Sequence, residues 1–328
     1  MMLKTNTVNI KLSEVDLSDR TYILTFEPMM SQMVQSIREI GLVNPPILAQ
    51  ISSEPRYRVI SGLKRILGLI HLKKEMFPAR IVQEQPDKPS IEYFLINFYE
   101  NLSTRALNDV EKSIILNKLI TKFNVDKETI LQHYVPLLGL GKNPRVLDMY
   151  LPIVRLEDNI KIAIVEDILS HELALHMIEL SGDDRQSLFH LFVTLKLGKN
   201  RQKEFMRLLT DIAKSTERSL RDVVDQPALM AVVNDEKITS TQKVERVRDL
   251  LRKMRYPRLA EAELYFEEVK KELKLPPRIV LKHSPFFESD IYSLELLFRD
   301  PHEFQKMVTK VNDISRTGAM DKLKKVGK

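Results

Sequence analysis

Apolar residues recur along this chain with two periods, and the change of period divides it. Residues 8–12 alternate apolar with polar, as a half-buried strand does. Met29, Met33, Ile37 and Ile40 mark a helical stripe that Gly41 stops. After Pro45-Pro46, residues 47–51 and 57–60 read as strands, 65–72 as a helix and 79–82 as a further strand. Strands interleaved with helices predict a small α/β layer. From Ala106 onward strand signals nearly vanish. Helical stripes run over residues 110–123, 127–138, 145–154, 160–169, 171–180, 184–195 and 201–216, separated by short polar or glycine-containing turns. Further helices are predicted over 241–254 and 258–273. Leu275-Pro276-Pro277 then precedes two strand-like runs, 278–281 and 291–298, a helix over 303–311 and a basic tail.

The fold class expected is therefore mixed α/β and predominantly helical. Its divisions are a small α/β domain over 1–105, an all-helical domain over 106–218, an α+β domain over 219–315 and a tail over 316–328. Ile291, Leu294, Leu296, Leu297 and Phe298 must be buried, either in the core of their own domain or against a partner.

Composition narrows the chemistry. The 328 residues are 43% hydrophobic and 29% charged, with a formal charge of +6, which suits a polyanionic partner without requiring one. Cysteine is absent, which removes disulfides, thiolate nucleophiles and cysteine zinc sites and fits a reducing cytosol. No apolar run approaches the roughly 20 residues that span a bilayer, and the N-terminus has no signal-peptide core. A cytoplasmic protein with no membrane partner is expected.

Two short segments concentrate the candidate chemistry. Ser61-Gly62-Leu63-Lys64-Arg65 lies at a strand-to-helix junction, where free backbone N–H groups and the positive helix end favour an anion. Gly62 permits close approach to a phosphate, and Lys64 and Arg65 add charge-assisted contacts. Glu100 and Asn101 offer oxygen ligands suited to Mg²⁺ bridged to a phosphate chain, and Arg105 a two-pronged phosphate donor one helical turn away. The plain alternative is a glycine turn with a solvated basic first turn, then a surface helix start capped by Asn101 or Ser103, with Glu111 in solvent. Downstream, residues 127–138, 139–142 and 143–154 read as helix, tight turn, helix. Lys142, Asn143 and Arg145 fall at the start of the second helix, where a helix-turn-helix meets base edges. Against that, the second helix has few polar residues, Pro152 disrupts its far end and Pro136 kinks the helix before it. His171 and His176, five residues apart and without a third ligand, do not make a zinc site; a cap or interhelix hydrogen bond is expected instead.

Together, in this order, the segments resemble the N-terminal domain of ParB-type partition proteins. That family's pattern runs roughly Gly-Glu-Arg-Arg, then Glu-Asn-Leu-Gln-Arg ahead of Leu-Asn-Pro-x-Glu. Asp19-Arg20 falls where the family has an early arginine, and Ser36-Ile37-Arg38-Glu39-Ile40-Gly41-Leu42 with Pro45-Pro46-Ile47 resembles its helix-glycine-proline-strand passage. The resemblance spans about residues 8–215. It implies a CTP and Mg²⁺ site: Arg20, Ser61, Gly62, Lys64, Arg65, Asn101 and Arg105 on the nucleotide, Glu100 and Asn101 on the metal. It also implies double-stranded DNA facing Lys142, Asn143 and Arg145, a nucleoid-associated homodimer, and a ParA-type ATPase partner. Leu63 stands where the family has glutamate, Ser103 and Thr104 replace its glutamine and arginine, and Asp109 replaces its proline. Binding rather than turnover is expected, at most a slow CTPase. Two rival readings remain: a DNA-binding regulator with a degenerate pocket, and a nuclease or phosphotransferase.

Overall fold

In the computed structural model, which describes residues 6–26, 31–51, 56–84, 89–141, 143–316 and 318–325, five strands form one sheet. They are β1 (Asn6–Lys11), β2 (Val15–Asp16), β3 (Ile47–Ile51), β4 (Tyr57–Ser61) and β5 (Met76–Glu84), in the order β1-β5-β3-β4-β2. β3 pairs antiparallel with β4 and parallel with β5, so it is the central strand and lies under cover on both faces. Its side chains alternate accordingly. Ile47 and Ala49 join a core with Ile60, Val82, Phe94 and Phe98, while Leu48 joins another with Ile37, Val59, Ile66, Leu69 and Phe77.

Helices α1 (Ser31–Ile40) and α2 (Leu63–His71) supply the second core, and α3 (Ile91–Thr104) and α4 (Asp109–Thr121) the first. The first core continues without a break through Ile115, Leu116 and Leu119 to Ile130, Val135, Leu138, Val146 and Leu147. The α/β layer and the first helices after it are thus sealed by shared side chains. Lys118 of α4 is a polar fastener in this region. Its ammonium donates to the carbonyls of Arg20 and Ile23, and burial lowers its pKa to about 8.

The fold is mixed α/β and predominantly helical, as the periodicity predicts. Differences fall where proline and capping intervene. The helix expected over 127–138 contains a π turn, Ile130–Tyr134, immediately before Pro136, whose missing N–H removes one ordinary helical bond. The helix expected over 145–154 is α-helical only over Arg145–Tyr150 and tightens to a 3₁₀ turn, Leu151–Arg155, at Pro152. At the start of α4, Asn108 and Glu111 form a reciprocal capping box.

Contacts divide the chain into two compact units, residues 1–181 and 182–328. The second contains helices including Lys199–Thr216, Ser240–Arg255, Pro257–Glu272 and Pro301–Arg316, with an antiparallel strand pair, Ile279–His283 and Tyr292–Leu296. Phe266, Val269, Leu281 and Ile314 pack in its core. Of the five apolar residues expected to be buried near its end, Leu296 is half-buried. Ile291, Leu294, Leu297 and Phe298 are exposed, so their own core does not take them.

Asp109, the first residue of α4, accepts from the Tyr150 hydroxyl at 3.2 Å and contacts His171 Nδ1 at 3.2 Å. The histidine bond above all holds its carboxyl at about pKa 2, below the ordinary 3.8. A depressed carboxyl contributes stability that is present above the unfolded value and is lost as pH falls through the folded one. Urea unfolding of the wild-type chain is expected to weaken between pH 3.8 and about 2 more steeply than that of Asp109→Asn. Parallel slopes would contradict the assignment.

Candidate functional site

The junction of β4 and α2 is built around one glycine. Gly62 is the N-cap of α2, with φ of 96°, a conformation that costs a side-chain-bearing residue energy. A Cβ placed on it would lie 2.9 Å from Pro46 Cβ and 3.1 Å from Arg65 Nε. Glycine is thus required twice, by dihedral angle and by the close approach of the Pro45-Pro46 segment. No side chain caps the helix, so its first N–H groups, which have no partner within a helix, lie open to a cleft.

The cleft has a volume of 150 Å³. Ser61, Gly62, Lys64 and Arg65 line it from one side, Glu100, Asn101 and Arg105 from the other. Six of the seven residues expected on a nucleotide therefore converge, together with the expected metal pair. Arg20 is the exception: it is exposed and does not line the cleft, and its carbonyl accepts from Lys118.

Glu100 and Asn101 lie in the last turn of α3, not at a helix start, so neither they nor Ser103 cap one. Glu100 accepts from Arg65 at 2.5 Å and from the Ser61 hydroxyl. Arg65 also donates to the Asn44 carbonyl at 2.8 Å. Asn101 donates to Asn97 Oδ1 at 2.6 Å and accepts from Arg105 Nε at 2.9 Å. Arg105 then spreads both terminal nitrogens over the Glu111 carboxylate, at 2.6 and 2.8 Å. Glu111 is not a solvated residue. It is 1% exposed, and its only nearby cation is Arg105 among the described ion pairs.

Lys64 completes the cleft and differs from its neighbours. Among the described residues its ammonium has no hydrogen bond or ion pair. Burial first, and the Arg105 guanidinium second, hold its pKa below the usual lysine range. A half-buried cation beside another cation is a local electrostatic deficit that an anion would relieve. Glu100 and Asn101 alone cannot saturate a metal, and no cluster of three or more acidic or histidine side chains occurs among the described residues. One carboxylate plus phosphate oxygens and water is nonetheless a usual donor set for Mg²⁺.

Two contributors escaped sequence reasoning. Asn97, one turn before Asn101 on α3, is buried and donates to the Tyr22 carbonyl at 2.7 Å; helical spacing alone could have found it. Glu111 ends the Leu-Asn-x-x-Glu motif, which carries the signal of a capping box but not of the pairing with Arg105.

Asn143 and Arg145 are exposed at the start of Arg145–Tyr150, where the Asn143 side chain accepts from the Arg145 backbone at 3.0 Å. The Arg145 guanidinium has no ion pair among the described residues. Lys142 lies outside the described residues. His171 serves Asp109, an interhelix contact of the kind expected, and its Nε2 is buried without a partner.

The ParB N-terminal domain family matches residues 2–98. A nucleoid occlusion protein of Oceanobacillus iheyensis is 26% identical over 160 residues, covering 49% of this chain and 52% of that protein. The chain thus spans about half the length of that relative. Among solved structures, a C-terminally truncated chromosome-partitioning protein ParB from Caulobacter crescentus complexed with CTP-γ-S shares 17% identity. That alignment covers 54% of this chain and 93% of the other, with a TM-score of 0.25. The same protein complexed to the centromeric parS site shares 12% identity over 61% of this chain and 98% of the other, with a TM-score of 0.32. Among the described residues no helix is long and apolar enough to cross a membrane.

Gly62→Ala is expected to lower stability by about 1–3 kcal/mol, the cost of a strained backbone conformation, because the new methyl group meets Pro46. Thermal unfolding measures this, and an unchanged midpoint would remove the close-approach argument.

Proposed function

The chain belongs to the ParB-type family and carries its N-terminal domain over residues 2–98, and from that premise we propose a nucleotide-gated DNA-binding protein of the partition type. The observation that supports this best is the convergence of Ser61, Gly62, Lys64, Arg65, Asn101 and Arg105 on one cleft whose lysine has no counter-ion. Gly62, Lys64 and the open end of α2 would hold a triphosphate, and Arg65 and Arg105 would contact it. Glu100 and Asn101 would hold Mg²⁺, which neutralises phosphate charge when bound. CTP is the nucleotide expected, from the resemblance of the two motifs to those of the ParB family. Leu63 is buried and offers no carboxylate, and Glu100 is already engaged by Arg65 and Ser61. No general base is free in the cleft lining, so the site binds and does not turn over at an appreciable rate.

Gating follows from the charge balance. A phosphate that draws Arg105 away leaves the buried Glu111 carboxylate unpaired, a cost of about 3–5 kcal/mol for a buried pair. Relief requires α4 to shift at its N-terminus. Asp109, two residues from Glu111, carries that shift to Tyr150, which lies in the second helix of the helix-turn-helix candidate, and to His171. DNA would meet Asn143, Arg145 and Lys142, and the protein would act on the nucleoid as a homodimer with a ParA-type ATPase.

Calorimetry with the four nucleoside triphosphates and Mg²⁺ tests the site. CTP is expected to bind, Arg65→Ala to abolish binding, and binding at alkaline pH to take up a proton as the Lys64 ammonium regains its charge. If no triphosphate binds, the regulator with a degenerate pocket is the better reading. Arg145→Ala is expected to weaken a cognate DNA complex by about 1–3 kcal/mol; an unchanged gel-shift series would exclude this helix as the reader.

A further inference from the structure

The second unit contains a cleft that the reading above does not use. It encloses 580 Å³ between helices Lys199–Thr216, Ser240–Arg255 and Pro257–Glu272 and the short turn Pro285–Phe287. Arg207, Arg248 and Arg252 line it, with Glu204 as the single carboxylate. Glu204 is already taken by Arg248 at 2.6 Å and by Arg201 at 2.9 Å. The Arg207 and Arg252 guanidiniums, both exposed, have no ion pair or hydrogen bond among the described residues. The cleft therefore presents two cations without a direct ion pair, Arg252 also bordering Asp249 and Glu263 in the adjoining hollow.

Its other lining groups are aromatic. Tyr256 is 41% exposed, with the Arg255 guanidinium 5.0 Å from its ring centre. Phe286 is 63% exposed and sits at φ 54°, ψ 17°, a left-handed conformation that a bulky residue adopts only under constraint. The constraint is visible next door. Phe287 stacks on His283 at 3.8 Å and packs edge-on to Phe266, and seating it in the core turns Phe286 outward, toward the arginines.

Net charge points the same way. Residues 182–328 hold 30 basic against 23 acidic residues, while residues 1–181 hold 21 against 22. The whole positive excess of the chain thus belongs to the unit with this cleft. An acidic peptide would satisfy the arginines but has no use for two exposed rings. A duplex would satisfy them too, but its base faces are covered by stacking. Unpaired nucleotides use both features, because phosphate pairs with guanidinium and every base has a face that stacks on an aromatic ring.

We propose that this cleft docks single-stranded nucleic acid, with phosphates on Arg207 and Arg252 and an unpaired base against Tyr256 and Phe286. Fluorescence anisotropy of a labelled oligothymidine with the full chain tests it. The oligomer is expected to bind, and the Arg207→Ala/Arg252→Ala double variant and the Tyr256→Leu/Phe286→Gly variant each to weaken binding about tenfold. Glycine suits the left-handed position, all four residues are exposed, and melting curves check folding. Arg65→Ala, which empties the triphosphate site, is expected to leave this binding unchanged, so the two readings fail separately. No binding, wild-type affinity in the aromatic variant, or equal competition by a same-length duplex or polyglutamate would each overturn the proposal.

Discussion

The candidate site depends on a carboxylate that water cannot reach. Glu111 is sealed at the start of α4 and closes the Asn108 capping box, so its charge must be met from inside the protein. Arg105 meets it with two nitrogens. That pairing fixes where α3 ends, because Arg105 is the extended C-cap residue of that helix, and it fixes where α4 begins. The same guanidinium forms a wall of the cleft. One ion pair therefore sets the helix boundary, the shape of the pocket and the electrostatic surroundings of Lys64.

A second constraint works through shape. Pro46 approaches so closely that residue 62 can have no side chain, and the helix following it begins uncapped. Proline supplies a rigid wall without an N–H to be satisfied, and glycine supplies the space. Arg65 reaches back over the same segment to the Asn44 carbonyl, so a group expected to contact a ligand also braces the loop that shapes the pocket. Side chains with two duties resist substitution for two reasons, which confounds any mutational reading that assigns them only one.

Much of this was legible in the sequence, and the reasons differ by element. The central strand was clear because Pro45-Pro46 announces it and its run of apolar residues is buried on both faces. The convergence of Gly62 with Asn101 was legible because the two motifs, in their order and spacing, resemble the ParB pair. Periodicity carries no record of which carboxylate an arginine will find, so the Arg105–Glu111 pair was invisible although both residues stood in the second motif. Arg20 lies away from the cleft lining. Its neighbour Asp19 pairs with Arg58 at 2.5 Å, and that pairing, a long-range contact, sets the local chain path. The π turn before Pro136 and the 3₁₀ turn at Pro152 were signalled by proline, but not in which form the helix would yield.

Lys118 shows how little freedom such a design leaves. Its ammonium sits where the carbonyls of residues 20 and 23, in the irregular segment after β2, converge, filling the role that a bound alkali ion fills in other loops. Arginine carries the same charge but spreads it over a flat fork, which cannot enter a pocket shaped for a compact tripod of donors. An acetyl group on that nitrogen would cancel the charge and leave the carbonyls facing a neutral amide. A modification chemically slight would there act as a wedge between the segment after β2 and α4.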